Sequence, residues 1–272
     1  MAAIAISETG ADELAAAAAA WGAAPQEGIA RTCSPAYRAL VERLGVAHVG
    51  ESWIDVATGT GPVARVAAAA GAGVVAFDFA PELVELGRRL AAEDGYGVRF
   101  AVHAIENHRY VPEEFQVVAS AFGAMYAADH RLAAKRLSML CHPAGRIGLL
   151  AWEPGGWMAE AHALVAGQPG APPHGEDSPF RWGDPAYVRD LFGDEFELKA
   201  ESVDVPLAVG SGEEAWELFV GQDGPTHAVA TAMTTTDRDR LERSFVDLAD
   251  EFLHDGAIPR PALLTIGRRR SA

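Results

Sequence analysis

The amino-acid sequence predicts an α/β protein with a mostly parallel sheet that carries helices on both faces. Apolar runs recur between residues 52 and 152, helical stretches alternate with them, and Pro62 and Pro81 stand in first helical turns, where a missing N–H is tolerated. Strands that are apolar throughout are typical of a parallel sheet covered on both sides. The predicted strands are 52–57, 73–79, 97–102, 115–122 and 145–152, and the helices between them are 62–71, 81–94 and 129–140.

Two helices are expected before the first strand. Asp12 can cap a helix that ends near Gly22, and Pro35 begins a second helix that Gly45 ends. Apolar residues of the second helix recur at helical spacing and share one face. They are Tyr37, Leu40, Val41 and Leu44.

The pattern changes after Trp152. Residues 167–185 are rich in Gly and Pro, which disfavours regular structure there. We interpret the chain as one domain over 1–272, with N-terminal helices in 1–50, a cofactor-binding core in 51–155, and lid or substrate-side elements in 156–195 and 208–258. Helices are predicted at 156–166, 185–192, 212–221 and 236–254, and strands at 196–207 and 261–270.

The composition disfavours several classes of protein. The formal charge of −16 argues against binding to nucleic acid or to an anionic membrane surface. No apolar run is long enough to span a membrane, and the N-terminal alanine run follows acids without Lys or Arg, so a cytoplasmic protein is expected. Cys33 and Cys141 lack the paired spacing of a zinc site, and we expect both to be reduced and structural.

A glycine-rich loop, "ATGTG", follows the first predicted strand. Gly59 and Gly61 let the chain turn sharply and let a ligand approach the backbone at the mouth of a parallel sheet. Asp78 ends the second strand nineteen residues after Gly59, a spacing that suits a carboxylate bonded to the ribose of an adenosine. The alternative is a purely structural strand–helix turn beside an acidic helix cap.

The nature of the cofactor depends on Asp55, an acid on a strand expected to be buried. A buried carboxylate is costly unless it is paired. The cationic amino group of S-adenosylmethionine would justify one here, reached directly or through water and loop N–H groups. A dinucleotide-binding strand would be apolar up to the glycines.

Four segments resemble a class I S-adenosylmethionine-dependent methyltransferase, of the small actinobacterial type that modifies natural products. They are 55–61, 74–91, 117–156 and 181–193. The resemblance implies a Rossmann-like seven-stranded sheet whose last strand inserts antiparallel, with S-adenosylmethionine as cofactor and S-adenosylhomocysteine as product. It implies that Asp55, Ala57, Thr58, Gly59 and Gly61 frame the methionine part, Asp78 holds the ribose, Phe79 lies against the adenine, and Ala121 faces the sulfonium.

The chain departs from that family after the third strand. Where the family usually has Gly-Asp-Ala-Glu, this chain has His103-Ala104-Ile105-Glu106, without the Asp that bonds the adenine amino group. Backbone groups of Ala104 and Ile105, with His103 nearby, are the expected adenine contacts. The histidines of 103–108 do not match a zinc motif, and no metal is expected.

The expected reaction is O-methylation of a small, polyketide-like secondary metabolite. A hydroxyl acceptor favours a general base, most often His, and the candidates are His162, His174 and His227, with His130 left as local structure. The alternatives are a non-methylating cyclisation or rearrangement on the same fold, a non-catalytic partner protein, and a dehydrogenase. A homodimer is left open. Aromatic residues are expected in the core and around an apolar pocket: Trp21, Tyr126, Trp152, Trp157, Phe180, Trp182, Trp216 and Phe219.

Overall fold

A computed structural model describes residues 8–108, 110–169, 171, 175 and 177–270. Its centre is a seven-stranded sheet of order β3-β2-β1-β4-β5-β9-β6. Strands β1 to β5 are parallel, and β9 lies antiparallel between β5 and β6. The strands are β1 (Ser52–Val56), β2 (Gly73–Asp78), β3 (Arg99–Val102), β4 (Phe115–Ala121), β5 (Cys141–Trp152), β6 (Phe196–Asp204) and β9 (Pro261–Arg269). The predicted fold class and the antiparallel last strand are confirmed.

The order of the strands determines where a ligand can bind. β1 pairs with β2 on one side and with β4 on the other, so the direction of the strand order reverses at β1. A crevice forms beyond the carboxyl ends of the strands at such a switch point. The segment that follows β1 lies at this crevice, together with the ends of β2, β3 and β4.

Helices cover both faces of the sheet. The amphipathic prediction for the second N-terminal helix is confirmed, because Tyr37, Leu40, Val41 and Leu44 are buried in α3 (Ser34–Leu44). The other helices before residue 200 are α1 (Glu8–Gly22), α2 (Glu27–Thr32), α4 (Pro62–Ala69), α5 (Pro81–Glu93), α6 (His130–Leu140), α7 (Gly156–Ala166) and α8 (Pro185–Phe192).

Three further helices complete a helical cap with its own apolar core, separate from the core around the sheet. We call α7, α9 (Gly212–Gln222), α10 (Gly224–Ala232) and α11 (Thr235–Phe252) together the cap. Its core is aromatic, with Trp157, Trp216, Phe219 and Phe245 all buried. The predicted helical lid is therefore present as a packed layer of helices.

Several short elements differ from the sequence-based expectation. α2 and α10 were not predicted, and neither was the small sheet of β7 (Leu207–Ala208) and β8 (Ala257–Ile258). α2 has six residues, too few for a helical repeat, and the "GPTHAVATA" of α10 carries no clear amphipathic period. α1 begins at Glu8 rather than at the expected Asp12 cap. In the part of the chain described here, no helix combines the length and apolarity that a membrane span requires.

Candidate active site

The loop after β1 adopts backbone conformations that favour glycine. The φ angles are +53° at Ala57, +56° at Gly59 and +79° at Gly61. A Cβ at Gly61 would lie 2.6 Å from the ring of Phe100, so this position accepts no side chain. At Gly59 the nearest atom to such a Cβ is the Oε1 of Gln26, at 3.6 Å, which leaves the backbone open towards the cavity described below.

Asp55, on β1, stabilises this loop through hydrogen bonds. Its Oδ2 accepts hydrogen bonds from the Thr58 hydroxyl and, at 3.1 Å, from the backbone N–H of Ala64. Burial raises the pKa of Asp55 to about 7, and the two hydrogen bonds only partly oppose that rise. Because Asp55 is not among the described residues that line the cavity, we interpret it as a support of the loop rather than a direct ligand contact.

Asp78 connects the end of β2 to the glycine loop. Its Oδ2 accepts from the N–H of Gly59 at 2.8 Å, and its Oδ1 accepts from the N–H of Ala80 at 3.0 Å. Burial raises the pKa of this carboxyl too, while the backbone hydrogen bonds lower it. Asp78 lines the cavity, and an ionised carboxylate has about four acceptor sites, so it retains capacity for a ligand hydroxyl.

A cavity of about 460 Å³ opens above these groups. Its size suits a small-molecule ligand. Nearly all of the proposed cofactor contacts line its wall. The exceptions are Asp55 and Gly61, and both are buried. The contacts on the wall are Ala57, Thr58, Gly59, Asp78, Phe79, His103, Ala104, Ile105 and Ala121.

The segment after β3 lines the end of the cavity beside Phe79. The backbone N–H of His103 donates to the Asp78 carbonyl at 2.9 Å, and the N–H of Ala104 donates to Asn107 Oδ1 at 3.1 Å. The Ala104 N–H is therefore already bonded within the chain, and the adenine contact expected of the Ala104 and Ile105 backbone stays a prediction. Glu106, to which the sequence assigned no role, also lines the cavity, and burial raises its pKa.

Two of the candidate general bases, His162 and His227, do not line this cavity. His162 lines a second cavity of about 80 Å³, where its ring packs against Tyr126 and Phe180. His227 lines neither cavity, and its Nδ1 is 2.9 Å from the backbone oxygen of Val220. His174 lies outside the described residues. His130 is buried with its ring nitrogens against Tyr187 and the Met125 carbonyl, as expected of local structure.

Aromatic side chains form the far part of the large cavity. The rings of Phe122 and Trp152 stack at 3.9 Å, and those of Trp21 and Tyr126 lie 4.9 Å apart. Phe219 adds a further ring from the cap. The other predicted aromatics are buried in the two apolar cores instead: Trp157, Phe180, Trp182 and Trp216.

Among the polar residues of the cavity wall that the sequence reasoning missed are Gln26, Gln222 and Asp223. Gln26 lies before α2, Gln222 ends α9, and Asp223 lies between α9 and α10. Asp223 precedes Gly-Pro, a signal for a helix cap, but nothing in the local sequence indicates that it faces a cavity.

The N-terminal helices cover the glycine loop. The Thr60 hydroxyl donates to Glu27 at 3.0 Å, and Arg65 on α4 forms an ion pair with the same carboxylate. On the other side, the N–H of Gly28 donates to Gln222 Oε1 at 2.8 Å, which joins α2 to the cap. α2 is therefore bonded both to the loop and to the cap.

Comparison with known proteins agrees with this geometry. A family model described as a methyltransferase domain matches residues 54–145, which include the end of β1, the glycine loop, Asp78 and strands β2 to β4. An uncharacterized protein of Mycobacterium tuberculosis is 30% identical over 246 residues, which are 85% of each chain. A ubiquinone/menaquinone biosynthesis C-methyltransferase of Geotalea daltonii is 31% identical over 102 residues, covering 36% of this chain and 43% of that protein.

The fold is also shared with solved structures. The crystal structure of the YcgJ protein from Bacillus subtilis superimposes with a TM-score of 0.64 at 16% sequence identity. The match covers 88% of this chain and all of the other. At this identity the similarity concerns the fold alone.

Proposed function

This chain belongs to the class I S-adenosylmethionine-dependent methyltransferases, and from that premise we propose that it methylates a hydroxyl group of a small, largely apolar acceptor. The acceptor class that we propose is a polyketide-like secondary metabolite. One observation carries the proposal. Asp78 and Gly59, bonded to each other, line the same cavity as an aromatic wall that could hold the acceptor.

The described residues fit the cofactor. Gly59 offers an open backbone surface where a Cβ would meet only Gln26, and Asp78 offers carboxylate lone pairs for ribose hydroxyls. Phe79 and Ile105 provide apolar surface for the adenine. S-adenosylmethionine supplies an electrophilic methyl group on a sulfonium. The leaving group, S-adenosylhomocysteine, needs no further activation.

The residues of this chain therefore act mainly by orientation. Holding the acceptor oxygen in line with the methyl group can supply about 7–11 kcal/mol of the barrier. The aromatic wall and the cover by α1 and α2 exclude water from the reacting atoms. Since His227 lies away from the cavity and His162 lines the smaller one, no histidine is assigned as the base.

Calorimetric titration tests the cofactor. We expect micromolar binding of S-adenosylmethionine and S-adenosylhomocysteine and no binding of NAD. A second experiment supplies labelled S-adenosylmethionine together with a panel of hydroxylated polyketide-like acceptors. Binding of NAD alone would contradict the proposed cofactor, and cofactor binding without transfer of label to any acceptor would contradict O-methylation.

The relatives whose names state an activity are methyltransferases, which disfavours a non-methylating cyclisation. The homodimer also remains a proposal. Sedimentation velocity at micromolar concentration tests it, and a single species with the mass of one chain would contradict it.

A further inference from the structure

Five side chains form a wall shared by the large and the small cavity. They are Trp21, Tyr126, Met158, Phe219 and Asp223, and we call them the shared wall. None of them belongs to the glycine loop, to the end of β2 or to the segment after β3. The shared wall is therefore distinct from the proposed cofactor contacts, and we assign it to the acceptor.

Asp223 brings a carboxylate to this aromatic wall. Its Oδ2 accepts from the Thr226 N–H at 3.0 Å and from the Thr226 hydroxyl at 2.6 Å, which caps α10. Among the described residues no donor is bonded to its other oxygen, Oδ1. Burial raises the pKa of Asp223, although the two hydrogen bonds from Thr226 lower it.

Trp21 lies next to this carboxylate. The residue after Asp223, Gly224, packs so closely on α1 that a Cβ there would be 2.3 Å from the Trp21 carbonyl oxygen. The Trp21 ring in turn packs on Tyr126, and burial, together with the nearby charge of Asp223, holds the pKa of Tyr126 well above its usual value. A carboxylate and two aromatic rings thus border the same small volume.

The charges around the large cavity are one-sided. Within the described chain, its wall contains no Lys or Arg, whereas Glu13, Asp78, Glu106 and Asp129 line it together with Asp223. Arg260 is buried nearby, but it lies behind the ring of Trp152 and is bonded to the Val205 carbonyl and the Thr32 hydroxyl. His103 also lines the wall, but the acidic side chains outnumber it, so an acceptor that carries a phosphate or carboxylate would meet mostly like charge here.

We propose that the acceptor carries a protonated amine, which binds Asp223 Oδ1 between the rings of Trp21, Tyr126 and Phe219. This proposal rests on the function proposed above and names the acceptor class more closely. Aromatic faces attract organic cations, and a buried carboxylate is stabilised when a cation pairs with it. An amine held as its ammonium has no lone pair, so the amine anchors the acceptor and the methyl group goes to a hydroxyl.

Matched probes test the anchor. Calorimetry measures the binding of 2-phenylethylamine and of 2-phenylethanol to protein saturated with S-adenosylhomocysteine, near neutral pH. The two probes share a ring and a chain and differ in charge. We expect the amine to bind roughly ten- to a hundredfold more tightly, the range of a charged hydrogen bond.

The Asp223→Asn variant removes the charge and keeps the cap, because Asn caps helices as well as Asp does. We expect it to abolish the preference for the amine and to leave the affinity for S-adenosylhomocysteine unchanged. Asp129→Asn is the control, since Asp129 also lines the cavity and also caps a helix, α6, away from the shared wall. It is expected to keep the preference.

The outcomes separate the two proposals. If S-adenosylhomocysteine does not bind the wild type, the proposed function fails. If it binds but the amine shows no preference, or shows no binding at millimolar concentration, the anchor alone is wrong. A weaker affinity of Asp223→Asn for S-adenosylhomocysteine would place Asp223 at the cofactor and would also overturn the anchor.

Discussion

At the scale of single residues, the site depends on two buried carboxylates with different tasks. Asp55 bonds the loop from within the sheet, and Asp78 bonds it from the cavity side. Burial raises the pKa of both. Ionisation of either carboxyl group therefore destabilises the folded protein. Each carboxyl group nevertheless lies where it accepts hydrogen bonds that hold the loop.

Replacement of Asp55 by Asn should change the pH dependence of stability. The folded pKa of about 7 is above the unfolded value, so the contribution of Asp55 is fully present below about pH 4 and is lost as the pH rises to 7. Asn does not ionise and can still accept from Thr58 and Ala64. The free energy of unfolding of the wild type should fall relative to Asp55→Asn by up to about 1.4 kcal/mol per pH unit in this window. Urea denaturation at several pH values measures it, and a constant difference between the two proteins would contradict the assignment.

Replacement of Asp78 separates the ribose contact from support of the loop. Asp78→Asn keeps one acceptor oxygen for the backbone, whereas Asp78→Ala leaves the N–H groups of Gly59 and Ala80 without it. We expect both variants to bind S-adenosylhomocysteine about ten- to a hundredfold more weakly, and Asp78→Ala to have the lower melting temperature.

Calorimetry and thermal denaturation check this pair of variants. Asp190→Asn, which removes an exposed carboxylate paired with Arg131, is the control and should behave as the wild type. An unchanged titration of Asp78→Asn would refute the ribose contact.

At the scale of elements, α2 joins the cofactor loop to the cap. Glu27 is bonded to Thr60 and Arg65 on one side of α2, and Gly28 is bonded to Gln222 at the other. The Arg65 and Glu27 side chains are only 17% and 19% exposed, so solvent screens this ion pair less than a surface pair. Because these bonds from Glu27 and Gly28 hold α2 over the loop, we expect α2 to move away from the loop when the cofactor enters.

The Glu27→Ala variant should loosen this cover. We expect a severalfold faster dissociation of S-adenosylhomocysteine and faster amide exchange in residues 27–32. The reason is that Glu27 loses its bonds to Thr60 in the loop and to Arg65 on α4. Stopped-flow kinetics and hydrogen exchange measure these effects. Glu201→Ala removes an exposed ion pair with Arg43 and is the matched control. Equal dissociation rates for the two variants would argue against the cover.

At the scale of the whole molecule, two apolar cores have separate tasks. The core around the sheet holds the strands whose ends we assign to the cofactor, and the core of the cap holds the helices that carry Met158 and Phe219 of the proposed acceptor wall. Phe245 on α11 is fully buried in the cap, where its ring contacts Trp157, Trp216 and Phe219. Phe219 also lines both cavities, so packing in the cap reaches the acceptor site.

The Phe245→Ala variant should therefore affect the two halves of the site differently. We expect a loss of about 3–5 kcal/mol in the free energy of unfolding, weaker binding of the 2-phenylethylamine probe, and unchanged binding of S-adenosylhomocysteine. Phe245→Leu preserves most of the volume and should show the same trend more weakly. A parallel loss of cofactor affinity would show that the two cores do not act separately.

Much of the sheet and of the cofactor loop could be predicted because the signals are local. The apolar runs of β1, β2 and β4, the glycines at positive φ, and Asp78 at the end of β2 are all readable within a few residues. The short helices α2 and α10 could not be predicted, since contacts with α9 and α1 rather than an amphipathic period stabilise them.

The sequence by itself determined the class of fold and the position of the glycine loop, and it singled out Asp55 and Asp78 beside that loop, because backbone conformation and strand burial follow from local composition. Only the tertiary structure decided which side chains share the acceptor wall. Gly28 and Gln222 are 194 residues apart yet bonded, and the same closure brings Trp21 to Asp223 and leaves His227 outside. Such contacts arise from the packing of distant elements, for which a linear sequence carries no local signal.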